Sequence, residues 1–234
     1  MDNNEEFLNL YRRLEMYLNG KYHYADSPIK EHINRLSKSM IRSEVDRADV
    51  LDFLRNLRNY LVHRNVDAYV EVSTKALEFL KREIEAFEFP VRASDVMLKE
   101  EKVYDVRLND PTLEVLDAVY RNAYDVVPVV DEEKRVIGVF SLEVILKSIY
   151  RKKMGKIEKD SVLSDYREFI GIDDQIKERY EFVDPDEGIE SIIRRFSGTG
   201  DKKKLKMLFV TESGTKSAPL KGIITPHDVI HYKH

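Results

Sequence analysis

The sequence predicts an α+β chain: an N-terminal α-helical bundle followed by a tandem pair of strand-and-helix units. Three observations lead there. Apolar residues recur at helical spacing as far as Phe89, short β-type runs alternate with helical stretches beyond Phe89-Pro90, and the landmarks of that second region occur twice in the same order. The expected divisions are residues 1–89 for the bundle, 90–150 for the first copy of the repeat, and 151–234 for a linker and the second copy.

In the bundle, Leu10, Leu14 and Leu18 mark a first helix, Ile29, Ile33, Leu36 and Met40 a second, and Val50, Leu54, Leu57 and Leu61 a third. Asn19-Gly20 fits the end of the first helix, and Ser27-Pro28 fits an N-cap with proline at the first helical position of the second. A fourth helix is expected from about Asp67 to Phe87, with Tyr69, Val70, Leu77, Leu80, Ile84 and Phe87 facing inward.

In the second region, Val126 to Val130 and Arg135 to Phe140 read as strands joined by the turn Asp131-Glu132-Glu133-Lys134, flanked by helices at Thr112 to Arg121 and Leu142 to Tyr150. The order then returns. Val183-Asp184-Pro185-Asp186 precedes a helix to Phe196, followed by Met207 to Val210, Gly222 to Thr225 and a final helix. Pro111 to Pro185 is 74 residues and Gly138 to Gly222 is 84, so the second copy carries about 10 more residues between landmarks. They fall where Gly198, Gly200, Lys202 to Lys204 and Ser213 to Pro219 have loop composition.

Composition narrows the chemistry. The 234 residues are 42% hydrophobic, enough for one large or two small cores. The absence of cysteine excludes disulfides, zinc-thiolate sites, iron–sulfur clusters and thiol catalysis. No apolar run is long enough to span a membrane, and the acidic start Met1-Asp2-Asn3-Asn4-Glu5-Glu6 is unlike a secretory leader, so a cytoplasmic protein is expected. The net charge of −4 divides as −2 on either side of Phe89, which leaves neither part a basic, nucleic-acid-type module. The strips Arg151 to Lys153 and Lys202 to Lys204 read as solvated loop charge. His23, His32, His227, His231 and His234 offer no ligand set beyond the spacing of His227 and His231, so no metal is expected. Phosphate-binding glycine loops, Gly-x-Ser-x-Gly elbows and His-Glu-x-x-His pairs are absent from the sequence.

The closing segment Gly222-Ile223-Ile224-Thr225-Pro226-His227-Asp228 carries chemistry of its own. A threonine ending a strand, with an aspartate one helical turn later, puts a hydroxyl at a helix N-terminus and a carboxylate beside it. Hydroxyl and free amides suit a phosphate, and a carboxylate accepts from ribose hydroxyls. The same residues also read as a helix cap, with Pro226 at the first position and Asp228 in the first turn.

Taken in order, Ser94-Asp95-Val96-Met97, Asn109-Asp110-Pro111-Thr112-Leu113, Val127 to Asp131, Gly138-Val139-Phe140-Ser141, Val183 to Glu187 and Gly222 to Ile230 resemble the cystathionine-β-synthase (CBS) domain family, whose domains pair as a Bateman module. The resemblance covers residues 91–234 and implies a tandem CBS pair with a nucleotide between the copies. Ribose and phosphate are then held by one closing motif, and adenine by the other copy's strands. By position this implies Thr225 and Asp228 facing Tyr104, Tyr124, Asp125 and Val126. The reciprocal motif has Val144 where the carboxylate belongs, and valine accepts no hydrogen bond, so one competent site is expected. Tyr104 either stacks on adenine or fills the cleft. AMP, ADP, ATP and S-adenosylmethionine are the ligands implied, with no cofactor required.

The third helix contains Arg55, Asn56, Arg58, Asn59 and His63 on one face. Such a set can cleave RNA without metal, arginine neutralising phosphate and histidine moving a proton. The segment is similar to the HEPN family of helical domains, whose ribonuclease members carry Arg, a polar residue and then His; Arg58, Asn59 and His63 match, although Asn65 stands where a subset has Tyr. The resemblance implies either a catalytic pairing across a dimer or a non-catalytic interaction module. Read as ordinary helix surface, Asn59 and His63 simply pair.

These readings describe a regulatory protein in which a CBS pair binds an adenine-type nucleotide and repositions a HEPN-like bundle through Phe87-Glu88-Phe89-Pro90. Both family resemblances imply a homodimer. The alternatives are a CBS-gated, metal-independent RNA endonuclease using Arg58, Asn59 and His63, and a ligand-free scaffold; whether the chain is an enzyme stays open.

Overall fold

A computed structural model of the chain describes residues 2–24, 27–39, 41–63, 70–152, 157–198 and 203–232, with the side chains of His63, Lys152 and His231 outside the description. The chain forms two compact units, Met1–Val91 and Arg92–Lys233. Among the described residues no helix is long and apolar enough to cross a membrane.

The first unit contains α1 (Asn3–Tyr22), α2 (Pro28–Leu36), α3 (Arg42–His63) and α4 (Thr74–Glu88). Phe7, Leu14, Leu18, Ile29, Leu36, Leu51, Leu54 and Leu80 are fully buried at their common centre. Pro28 begins α2 as expected, whereas α1 passes through Asn19-Gly20 to Tyr22. It stops there because His23 adopts the left-handed conformation (φ 51°) and its amide bonds to Asn19 O.

Helix α4 starts later than the sequence suggests. Ser73 caps it by accepting from the Ala76 amide at 3.4 Å. Val70 to Ser73 ahead of it have no regular secondary structure, and the expected helical residues 67–69 lie outside the described chain. The buried Asn4 side chain holds that stretch, donating to Val70 O at 2.7 Å and accepting from Val72 N at 2.9 Å. On α3 the buried stripe runs through Ala48, Leu51, Leu54 and Leu61. Val50, one of the residues that mark the third helix, is 39% exposed and nearby Phe53 64%, because α3 has more apolar residues than its neighbours cover.

The second unit is duplicated. Its first copy comprises α5 (Ala93–Val96), β1 (Leu98–Lys99), α6 (Thr112–Arg121), β2 (Val126–Val130), β3 (Val136–Ser141) and α7 (Leu142–Lys152). The second comprises α8 (Arg167–Ile170), β4 (Glu178–Val183), α9 (Ile189–Ser197), β5 (Lys204–Thr211) and β6 (Leu220–Ile224). Strands β2 and β3 form an antiparallel pair, and a second sheet has the order β1-β6-β5-β4, with β4 and β5 parallel. Pro128 is tolerated within β2 because Val106 supplies the neighbouring bonds, donating to Pro128 O at 3.0 Å and accepting from Val130 N at 2.8 Å.

The copies exchange their lead-in segments. Ala93 N and Ser94 N donate to Glu187 O and Pro185 O at 2.8 and 2.9 Å, while Leu163 N and Ser164 N donate to Asp110 O and Leu108 O at 3.1 and 2.8 Å. Each lead-in is closed by an aspartate three residues on: Asp95 accepts from Arg92 N at 2.8 Å and Asp165 from Val162 N at 3.1 Å. The second lead-in lies in residues 151–234, expected to hold a linker and the second copy, and precedes the first landmark read for that copy, Val183. The glycines repeat too. A Cβ on Gly138 would lie 2.6 Å from Ile170 O, and one on Gly222 2.5 Å from Leu98 O, so each closing strand needs glycine to pass another backbone.

No α-helix follows β6 in the described chain. The expected final helix is instead a turn and a 3₁₀ segment, Ile230–Tyr232, because the backbone bonds from Asp228, Ile230 and Tyr232 each reach back only three residues.

Candidate functional site

The exchange of lead-ins lays β1 against β6, with Leu98 opposite Ile223, and β5 borders β6 on its other side, with Leu208 opposite Ile224. That register continues so that Met207 and Lys206 come beside Thr225 and Pro226. Ahead of β2 the chain turns at Ala123 (φ 53°), which carries Tyr124 and Asp125 toward the same place. The result is a cavity of about 510 Å³ lined by both copies, within the range of small-molecule sites.

Thr225, Asp228, Tyr104, Tyr124, Asp125 and Val126 all line this cavity. Val103, Pro128, Met207 and Ile223 add an apolar wall. Tyr104 and Tyr124 stack on one another, centroids 5.5 Å apart and planes 18° from parallel. The pair leaves the cavity open, so Tyr104 does not fill the cleft. Burial pushes the Tyr104 phenol above its ordinary pKa, and nearby Asp110 pushes it further.

At the closing motif, Asp228 Oδ2 accepts from both the Thr225 amide and the Thr225 hydroxyl at 2.7 Å. The amide expected to be free for phosphate is therefore satisfied within the chain. The cap reading of these residues holds in altered form, with Asp228 capping a turn rather than an α-helix. Oδ1 of Asp228 remains to accept from a ligand hydroxyl. In the first copy Val144 is fully buried in the core with Val115, Val119 and Phe140, so no polar group stands at the corresponding place.

Three basic residues complete the lining without having been singled out from sequence: Lys102, Lys206 and His227. Lys206 donates to Asp125 Oδ2 at 2.8 Å and stands 3.9 Å from Glu178, tying β5 and β4 to the loop before β2. His227 was legible in principle, since it lies between Thr225 and Asp228. Lys206 was not, because only the β5–β6 register brings it there.

The other candidate set lies on α3. Arg58 donates to Asn59 Oδ1 at 3.3 Å; Arg55 pairs with Asp52 at 2.8 Å, and Asn56 donates to the same carboxylate at 3.3 Å. The third member, His63, ends the helix, and its side chain is outside the description. Among the described residues no group of three or more His, Asp or Glu is placed to hold a metal ion.

Residues 93–151 match the family model described as the CBS domain. No curated protein is similar to the chain. Similar solved structures include CbpB in complex with c-di-AMP, at 16% identity over 65% of this chain and 89% of that one, with a TM-score of 0.48. CBSX2 in complex with AMP is 18% identical over 60% and 94% of the two chains, TM-score 0.44. A CBS domain pair in complex with 5′-methylthioadenosine and S-adenosyl-L-methionine is 16% identical over 61% and 95%, TM-score 0.41. The fold class is α+β, a helical unit followed by a duplicated unit whose first copy, residues 93–151, matches the CBS domain.

Proposed function

We propose that the second unit is a regulatory sensor that binds an adenine-type nucleotide, of the class of AMP, ADP, ATP or S-adenosylmethionine, in the cavity between its two copies. The observation that carries this reading is convergence: six residues from distant parts of the sequence line one cavity of nucleotide size. The stacked tyrosines and the apolar wall suit a purine face. Asp228 Oδ1 accepts a ribose hydroxyl, a charged hydrogen bond worth about 1.5–3 kcal/mol. Only one closing motif supplies a carboxylate, so one nucleotide binds per chain.

Binding acts on the rest of the molecule only through a preference for one arrangement of the two copies. Through Phe87-Glu88-Phe89-Pro90 that preference reaches the helical unit, which we read as a HEPN-like interaction module of a cytoplasmic homodimer. The paired state of Arg55 with Asp52 and of Arg58 with Asn59 favours this role over RNA cleavage, because both arginines are already engaged. Labelled RNA incubated without metal, with wild type and His63→Ala, is expected to stay intact; cleavage lost in the variant would establish the nuclease instead.

The sensor itself is tested by calorimetric titration with AMP, ADP, ATP and S-adenosylmethionine, repeated on Asp228→Ala. At least one ligand is expected to bind, about tenfold or more weakly to the variant. Silence from all of them on the wild type would leave a ligand-free scaffold.

A further inference from the structure

Resting on that reading of the cavity, we infer that it selects a nucleoside carrying an anionic 5′ group over a neutral nucleoside or a sulfonium, with Lys102 and His227 setting the preference. Part of the charge in the cavity is already paired. The lining holds three basic residues, Lys102, Lys206 and His227, and two carboxylates, Asp125 and Asp228. Lys206 is balanced by Asp125 at 2.8 Å and Glu178 at 3.9 Å. The Thr225 amide and hydroxyl are both committed to Asp228. With no α-helix beginning at Thr225, a phosphate finds neither a free amide there nor a helix N-terminus.

The basic side chains that remain for an anion are the Lys102 ammonium and the His227 ring. Among the described residues, neither makes a side-chain hydrogen bond or an ion pair, and both are exposed at the lining. A 5′-phosphate gains from both. Adenosine offers them no charge, and S-adenosylmethionine puts a sulfonium, a like charge, where AMP puts its phosphate, its carboxylate standing at the far end of a flexible chain beside an ammonium that offsets it. Because both side chains meet solvent, each contributes modestly, by about two- to fivefold in affinity.

The test is calorimetry on the full chain with adenosine, AMP and S-adenosylmethionine, at low and at physiological ionic strength, for wild type and for the double variant Lys102→Ala/His227→Ala. AMP is expected to bind the wild type about fivefold or more tightly than adenosine. Salt should narrow that gap by weakening AMP alone. In the double variant AMP should fall to the adenosine level while adenosine is unchanged, a result that a folding defect would not give. Adenosine or S-adenosylmethionine binding the wild type as tightly as AMP, or a double variant that keeps the gap, overturns the inference and leaves the sensor reading standing. Silence from all three ligands on the wild type overturns both.

Discussion

Gly138 in the first copy and Gly222 in the second meet the same constraint, a backbone carbonyl where a Cβ would stand, yet six residues further on the copies part company. Val144 is sealed in a core, whereas Asp228 lines a cavity. After Ser141 the first copy continues into the helix Leu142–Lys152; after Ile224 the described chain makes only tight turns. The shared features, glycines and aspartate-closed lead-ins, are those that let backbones approach and interlock. The differing ones are side chains with no role in that approach. Duplication here has kept the means of assembly in both halves and a carboxylate at the cavity in one.

That comparison can be broken by substitution. Val144→Asp, which copies the second motif into the first, is expected to cost about 3–5 kcal/mol of stability by leaving a carboxylate unpaired in an apolar core. Urea denaturation measures it, and a variant near wild-type stability would show that the first site is only dormant. Gly138→Ala and Gly222→Ala should each cost about 1–3 kcal/mol by overpacking against a backbone carbonyl. A large loss at one glycine and none at the other would end the claim of a shared constraint. Asp95→Ala and Asp165→Ala should each lose about 1 kcal/mol, the worth of a capping bond, and their melting curves should shift alike. Asp228→Asn sharpens the contrast from the other side. It keeps an oxygen for the Thr225 amide and hydroxyl, so stability should stay within about 1 kcal/mol of wild type.

Much of the scaffold could be read from pattern. Helix Thr112–Arg121 and strand Val126–Val130 have the limits that periodicity alone suggests. Where the sequence misled, a tertiary effect had displaced a local signal. His23 rather than Gly20 takes the left-handed position that ends α1, and Asn4, read as part of a polar start, is buried and holds a non-helical segment 66 residues away. Val50 and Phe53 are apolar but uncovered, which helical spacing cannot foresee. The second lead-in was within reach, since Ser164-Asp165 repeats Ser94-Asp95.

The candidate site divides the same way. Its six expected residues came from the family resemblance, carried across by position, and they line one cavity. Lys102 and Lys206 did not, because a lysine in a charged stretch reads as solvent-facing until strand register assigns it a wall. Thr225 shows the opposite error: its amide looked available from sequence, and only the folded turn gives it to Asp228.

The most direct test is a crystal structure of the full chain grown with saturating AMP. Density for the nucleotide is predicted in the cavity, with a ribose hydroxyl within hydrogen-bond distance of Asp228 and the purine beside Tyr104 and Tyr124. AMP bound elsewhere, or the cavity collapsed with AMP excluded, would contradict the account.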